Sequence, residues 1–315
     1  MSKDRSRQLA ALAGKYIQRQ GTDVSEREAQ GLISSLLDSW KRQMGDRDGV
    51  MSRPDGSQLR HDELRVPKLP VSDRSVHTRQ DPPKNVSSAH LADHAIQNYH
   101  NLMRGFDEMV VSDDRESLRI HLSAEFVMIR ALIEAASLAV WILGPEDSDT
   151  RVARAMRFRH TELNFSKKLA IRFADLIGDG AESEANAQVE FVDGQIQDLR
   201  LIADRAEITW GKVRPSANPG LIAEEAGSYV PGLGPALTYW YWSTASSIAH
   251  GEPENISQLS DVRFVGVDVR DEPVAHMEPS LVTIWNHLQV AHTIIEAAHM
   301  LWNKRAASPS RSGEA

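Results

Sequence analysis

Phe126-Val-Met-Ile-Arg-Ala-Leu-Ile-Glu-Ala-Ala-Ser-Leu-Ala-Val-Trp-Ile-Leu143 decides the fold. Read as a helix, it is apolar on every side, and such a helix belongs in the middle of a bundle. It nevertheless carries Arg130 and Glu134, one helical turn apart and so on a shared face. Opposite charges taken into such surroundings must pair with each other or with groups on neighbouring helices. The stretch has about the length of a membrane span, but its two charges and the amphipathic segments on either side make it a buried helix. No membrane association is expected.

Working outward, this helix is expected to begin near Arg115 and is stopped by Gly144-Pro145. Upstream, Leu91, Ala95, Tyr99, Leu102, Phe106 and Met109 form one stripe of a helix opening near Ala89. Downstream, helices are predicted from about Asp149 to Ile177 and from about Glu182 to Ala206. A loop rich in Pro and Gly, Val213 to Gly234, holds a short helical turn around Leu221 to Ala226. Pro235 suits the first turn of the next helix, which passes Tyr239-Trp-Tyr-Trp242 and ends at His250-Gly251. Asp261 to Arg270 alternates enough to form a short strand or hairpin. The last helix, Leu281 to Asn303, keeps apolar residues at three-and-four spacing, which implies a seam packed lengthwise.

Residues 4 to 44 read as a helical hairpin. Its first helix offers Leu9, Leu12, Tyr16 and Ile17; its second starts at the capping box Ser25-Glu-Arg-Glu28 and continues with Ile33, Leu36, Leu37 and Trp40. Two helices cannot bury that surface alone, so the hairpin must dock on the main body or on a second copy. From 45 to 88 the hydrophobic period is lost and Pro54, Pro67, Pro70 and Asp81-Pro-Pro punctuate the chain, as in a linker. The expected architecture is therefore all-α. It comprises an N-terminal helical hairpin (1–44), a Pro-punctuated linker (45–88), a helical bundle domain (89–305) with a short β-hairpin insertion before its last helix, and a disordered tail (306–315).

The 315 residues carry a formal net charge of -8, which argues against a general nucleic-acid coat, since such affinity comes from neutralising many phosphates. A local basic patch stays open. Without cysteine there is no disulfide, thiolate zinc site, iron–sulfur cluster or cysteine nucleophile. No signal peptide is read at Met1-Ser-Lys-Asp-Arg-Ser-Arg, and a cytoplasmic location is expected.

Four constellations could carry chemistry. Arg130 and Glu134 read either as a structural ion pair fixing the bundle's register or as a site in its core. Ser243, Ser246, Ser247 and His250 lie on nearby faces of one helix; His250 either caps the last carbonyls or reaches Glu134 or a substrate phosphate. The nucleophile elbow Gly-x-Ser-x-Gly is absent, so no serine hydrolase is implied. Arg151, Arg154, Arg157, Arg159 and His160 form a basic run without interleaved acids. It is either a solvated helix or an edge contacting phosphate or RNA. His292, Glu296 and His299 share one side of the last helix, but the Glu-x-x-His of di-iron bundles is needed on two helices and occurs here on one. No metal and no cofactor are expected.

The order Arg130-x-x-x-Glu134, Ala223-Glu-Glu-Ala-Gly, a Tyr/Trp-rich helix and then Ser243 with Ala249-His250-Gly251 resembles a bacterial all-helical family. That family is grouped with the HEPN (higher-eukaryote and prokaryote nucleotide-binding) superfamily. The likeness covers about residues 90 to 305. It implies an α-bundle dimer, in some members an RNase, working in toxin–antitoxin and phage-defence settings. The sequence departs from HEPN nucleases, which use Arg-x(4–6)-His, because no Arg stands at that distance before His250. The spacing occurs at Arg115/His121, Arg154/His160 and Arg270/His276, roughly the number chance supplies.

The leading reading is a HEPN-like protein that binds nucleotide or RNA, with Arg130, Glu134 and His250 as its polar centre. A competing one is a metal-independent RNase with His250 as general acid/base and Arg130 stabilising charge. The third is a homo-oligomer without catalysis. Whether the chain is an enzyme is left open by the residues themselves.

Overall fold

The computed structural model describes residues 24–45, 51–66, 86–111, 117–121, 123–178, 182–267, 270 and 273–307. The first helix of the expected hairpin and most of the expected tail lie outside them. Among the described residues there are eleven α-helices and one two-stranded antiparallel sheet, so the fold is all-α with a short β insertion. The helices are α1 (Glu26–Gly45), α2 (Gln58–Arg65), α3 (Ser88–Val110), α4 (Ala124–Leu143), α5 (Ser148–Ile177) and α6 (Glu182–Arg205). They continue with α7 (Trp210–Val213), α8 (Pro219–Ala226), α9 (Gly234–Ala249) and α10 (Pro253–Leu259). The strands β1 (Ser260–Val267) and β2 (Pro273–Pro279) precede α11 (Leu281–Ala306).

The chain forms two compact units. The first takes residues 1–50, 95–140 and 220–298, and the second takes 51–94, 141–219 and 299–315.

In the first unit, α4 supplies the most apolar surface. Ile129, Leu132, Ile133, Ala136, Ala139 and Val140 are fully buried, with Tyr99, Met103 and Phe106 from α3 and Ile284, Leu288 and Ile295 from α11. Two positions of the expected α3 stripe shift: Met103 and Val110 are fully buried, whereas Leu102 and Met109 are only half-buried. Helix α4 is long and apolar enough to cross a membrane by length and composition, yet 67% of its most apolar window is buried within the structure.

Helix α1 starts at the expected box: Glu28 accepts from the Ser25 backbone N–H at 2.8 Å, and its own N–H donates to Ser25 Oγ. These bonds hold the Glu28 carboxyl below its usual range. The helix docks on α11. Glu26 accepts from the Leu281 N–H at 2.8 Å, Trp40 Nε1 donates to His292 Nδ1 at 3.2 Å, and Gln43 donates to Glu296 at 3.1 Å. The rising order on both sides makes the helices parallel. Glu26 thereby fills the anion-favouring N-terminus of α11.

The second unit packs Val152, Met156 and Leu163 of α5 against Val192, Leu199 and Ile202 of α6, closed by Val66, Ile208 and Val213. Two expectations are corrected here. The segment 45–88 is not linker throughout, because α2 forms within it, capped by Ser57, whose side chain accepts from the Arg60 N–H. Leu59 and Asp62 of this helix are completely buried. Helix α4 begins at Ala124 rather than near Arg115; Leu118 instead pairs with Val111 in an isolated antiparallel bridge.

Candidate functional site

Arg130 lies on α4 and His250 follows the last residue of α9, both in the first unit. Arg130 Nε donates to Glu134 Oε1 at 2.9 Å, the i,i+4 pairing expected from sequence. The same carboxylate oxygen accepts from Trp242 Nε1 at 2.9 Å. The other edge of the guanidinium reaches His250, with Nη1 to Nε2 at 3.1 Å. A guanidinium has donors only, so Nε2 must be the accepting nitrogen, and a neutral ring then carries its proton on Nδ1.

The position of this group differs from the expected heart of the bundle. Side chains of Arg130 and Glu134 are each 28% exposed, and His250 is exposed. The pair sits at the rim of the apolar core, where water and solutes reach it. That placement removes the severe desolvation cost of a fully buried pair. It also leaves the guanidinium able to accept a further partner.

Behind the pair, the indole of Trp242 is fixed by close packing. A Cβ added at Gly220, in α8, would stand 2.7 Å from Trp242 Cζ3 and 3.2 Å from Tyr239 Cε2. Glycine at that position lets α8 press on the two rings. The order of positioning runs from Gly220 to Trp242, then Glu134, Arg130 and His250. Sequence reading missed Trp242 because an indole in an aromatic-rich helix reads as core. Its N–H, which needs an acceptor when half-buried, was the available signal.

Ser243 lies on α9 two turns before His250, and no hydrogen bond links it to Arg130, Glu134 or His250. Ser247 instead joins a separate cluster, donating to Glu252 and accepting from Asn255. His250 does close the helix: its backbone N–H bonds to Ser246 O, and Gly251 follows with φ 74.

The basic run is placed in the second unit. Arg151 is 1% exposed and bidentate to the buried Asp62, at 2.6 and 2.8 Å, while its Nη1 donates to Pro145 O and Glu146 O. Arg154 donates to Trp141 O at 2.6 Å and stacks over the Trp141 ring at 5.0 Å. Arg157 donates to Pro215 O and Ser216 O, and Arg159 pairs with Glu162. His160 is buried, bonded to Asn164 and edge-on to Trp210, and burial pulls its pKa down. Arg305, unforeseen from sequence, is also fully buried and donates to Leu143 O and Gly144 O.

Arg151, Arg154 and Arg305 therefore collect the carbonyls at and just beyond the C-terminus of α4. That end bears partial negative charge and leaves its carbonyls without helical partners. These arginines complete a helix end, and Arg151 has no face toward solvent. Of the residues once considered for metal, His292 accepts from Trp40 and Glu296 from Gln43. Compared with protein-family models, curated proteins and solved structures, the chain matches none.

Proposed function

We propose that the first unit binds a phosphate group of a nucleotide or RNA at Arg130 and His250. The observation that carries this is the exposed imidazole set against a guanidinium whose other edge is held by Glu134, which itself accepts from Trp242. A guanidinium held on one edge keeps a planar fork of donors for an oxyanion. An entering anion would take the place of the Arg130–His250 hydrogen bond and meet both side chains. The guanidinium supplies the positive charge and the imidazole a second polar contact to the same oxygen group. Glu134 acts as a positioning residue, and the Trp242 N–H offsets part of its charge. The HEPN resemblance supplies the ligand class, nucleotide or RNA.

A metal-independent RNase is the second reading, favoured by the imidazole that His250 sets beside Arg130. With the Arg130 hydrogen bond given up to the phosphate, Nε2 would be free to take the proton of a ribose hydroxyl while Arg130 stabilises the phosphate charge.

One experiment separates the two. Purified protein is titrated with a labelled single-stranded RNA oligonucleotide and with a labelled nucleotide, and the RNA is then resolved on a denaturing gel. Binding should fall at least tenfold in Arg130→Ala and in His250→Ala, with Arg157→Ala close to wild type. Equal binding by all variants, or none by wild type, overturns the proposal. RNA shortened by wild type and left intact by both site variants moves the reading to the nuclease.

A further inference from the structure

Helix α9 has two unlike sides. Thr238, Tyr241, Ala245 and Ile248 are its buried residues. At about 100° per residue, Tyr239, Trp242, Ser243, Ser246 and His250 fall within about 100° of one another on the other side. None of these five is buried. Two large rings, Tyr239 and Trp242, thus stand on the side turned away from the core.

Both rings are nevertheless held in place. They contact each other with ring centroids 5.7 Å apart. Gly220 of α8 backs them, and a Cβ there would stand 2.7 and 3.0 Å from the indole and 3.2 Å from the phenol ring. The indole N–H is fixed on Glu134. An aromatic surface immobilised in advance loses little further freedom when a ligand settles on it.

The groups beside the rings indicate what that ligand is. Helices α4 and α9 run antiparallel here, since Arg130 meets His250 and Glu134 meets Trp242. Three kinds of group therefore follow one another along their border: guanidinium with imidazole, then carboxylate, then rings. Glu134 Oε1 accepts from both Arg130 and Trp242, and Oε2 takes no hydrogen bond from a described residue. An oxyanion suits the first place, a hydroxyl donor suits the open carboxylate oxygen, and a flat π face suits the rings. A nucleotide carries phosphate, ribose hydroxyls and base in the same order.

Resting on the phosphate site proposed above, we infer that this border takes a whole nucleotide unit, its base stacked on Trp242 and Tyr239 and a ribose hydroxyl donating to Glu134 Oε2. Stacking accepts every base because each has a π face, so affinity follows the presence of a base more than its identity.

The test titrates the full chain with adenosine monophosphate, uridine monophosphate, adenosine and ribose phosphate, followed by ligand-observed NMR. Both nucleotides should bind about tenfold or more tighter than ribose phosphate. Their base protons should move upfield on binding, as protons lying over an aromatic face do. Tyr239→Ala should weaken both nucleotides severalfold and leave ribose phosphate unchanged, while Tyr239→Phe, which keeps the ring, should match wild type. Nucleotides that bind no better than ribose phosphate, with Arg130→Ala weakening all three alike, would overturn the stacking inference and leave the phosphate site standing. Adenosine bound as tightly as its monophosphate, lost in Tyr239→Ala and indifferent to Arg130→Ala, would do the reverse. Binding of none of the four probes overturns both.

Discussion

Asp62 has 0% exposure and accepts from Arg151 twice, from Ser88 at 3.0 Å and from Ser148 at 2.5 Å. A carboxylate so enclosed is tolerable only because every neighbour donates to it. Removing it leaves the Arg151 charge buried without a counter-ion. Asp62→Ala should cost about 3–5 kcal/mol, read from urea unfolding. Asp62→Leu combined with Arg151→Met should cost less than Asp62→Ala, because both charges leave together. A different constraint acts at Gly220, where a methyl group would collide with two rings. Gly220→Ala should lower stability by about 1–3 kcal/mol and, by shifting Trp242 off Glu134, weaken ligand binding severalfold. Wild-type stability and binding in this variant would show that the rings move aside freely.

Among the elements, the C-terminus of α4 depends on arginine in particular. Arg305 spreads its donors over Leu143 O, Gly144 O, Gln58 and Glu146. A single ammonium cannot span these acceptors, so Arg305→Lys should destabilise by about 1–3 kcal/mol, visible as a lowered thermal midpoint. Elements of this kind differ in how far their sequence betrays them. The apolar run of α4, its Gly144-Pro145 stop, the Ser25/Glu28 box and the long seam of α11 are legible because periodicity and capping are local. Helix α2 is not, since its sequence is mostly polar and its decisive buried residue is an aspartate whose partner lies 89 positions on. The same holds for the candidate site. Arg130 and Glu134 announce themselves by i,i+4 spacing, whereas their meeting with His250 depends on where two helices are brought together. Backbone carbonyls have no signature at all, so the bonds of Arg151 and Arg154 to them could not be read from the sequence.

At the scale of the whole molecule, acid should be the weak side. Burial pulls His287 down to about 4; its Nδ1 bonds to Thr283 O, its Nε2 to Thr244, and the rings of Phe126 and Tyr241 enclose it. Burial likewise lowers His160, His292 and His90. As pH falls below the unfolded value of about 6.5, the unfolded chain takes up protons that the folded one refuses, so stability is lost from there down to about pH 4. For His287 alone the loss approaches about 3 kcal/mol. Below that range the carboxylates take over: hydrogen bonds from Arg305 and Lys304 hold Glu146 down to about 2, and its contribution vanishes as pH falls from 4.5 towards that value. Urea midpoints should therefore decline continuously from pH 7 to pH 3, and a midpoint unchanged between pH 6.5 and 4.5 would count against the buried imidazoles. One arrangement described above reaches further than stability. With Arg151 and Arg305 spent on carbonyls and carboxylates inside the fold, little of their charge is felt at a distance, and the formal balance is already -8. If the proposed site takes RNA, an approaching strand meets net repulsion until it is nearly in place. Added salt should then quicken its arrival while loosening its final grip, the reverse of the kinetic response shown by basic nucleic-acid binders.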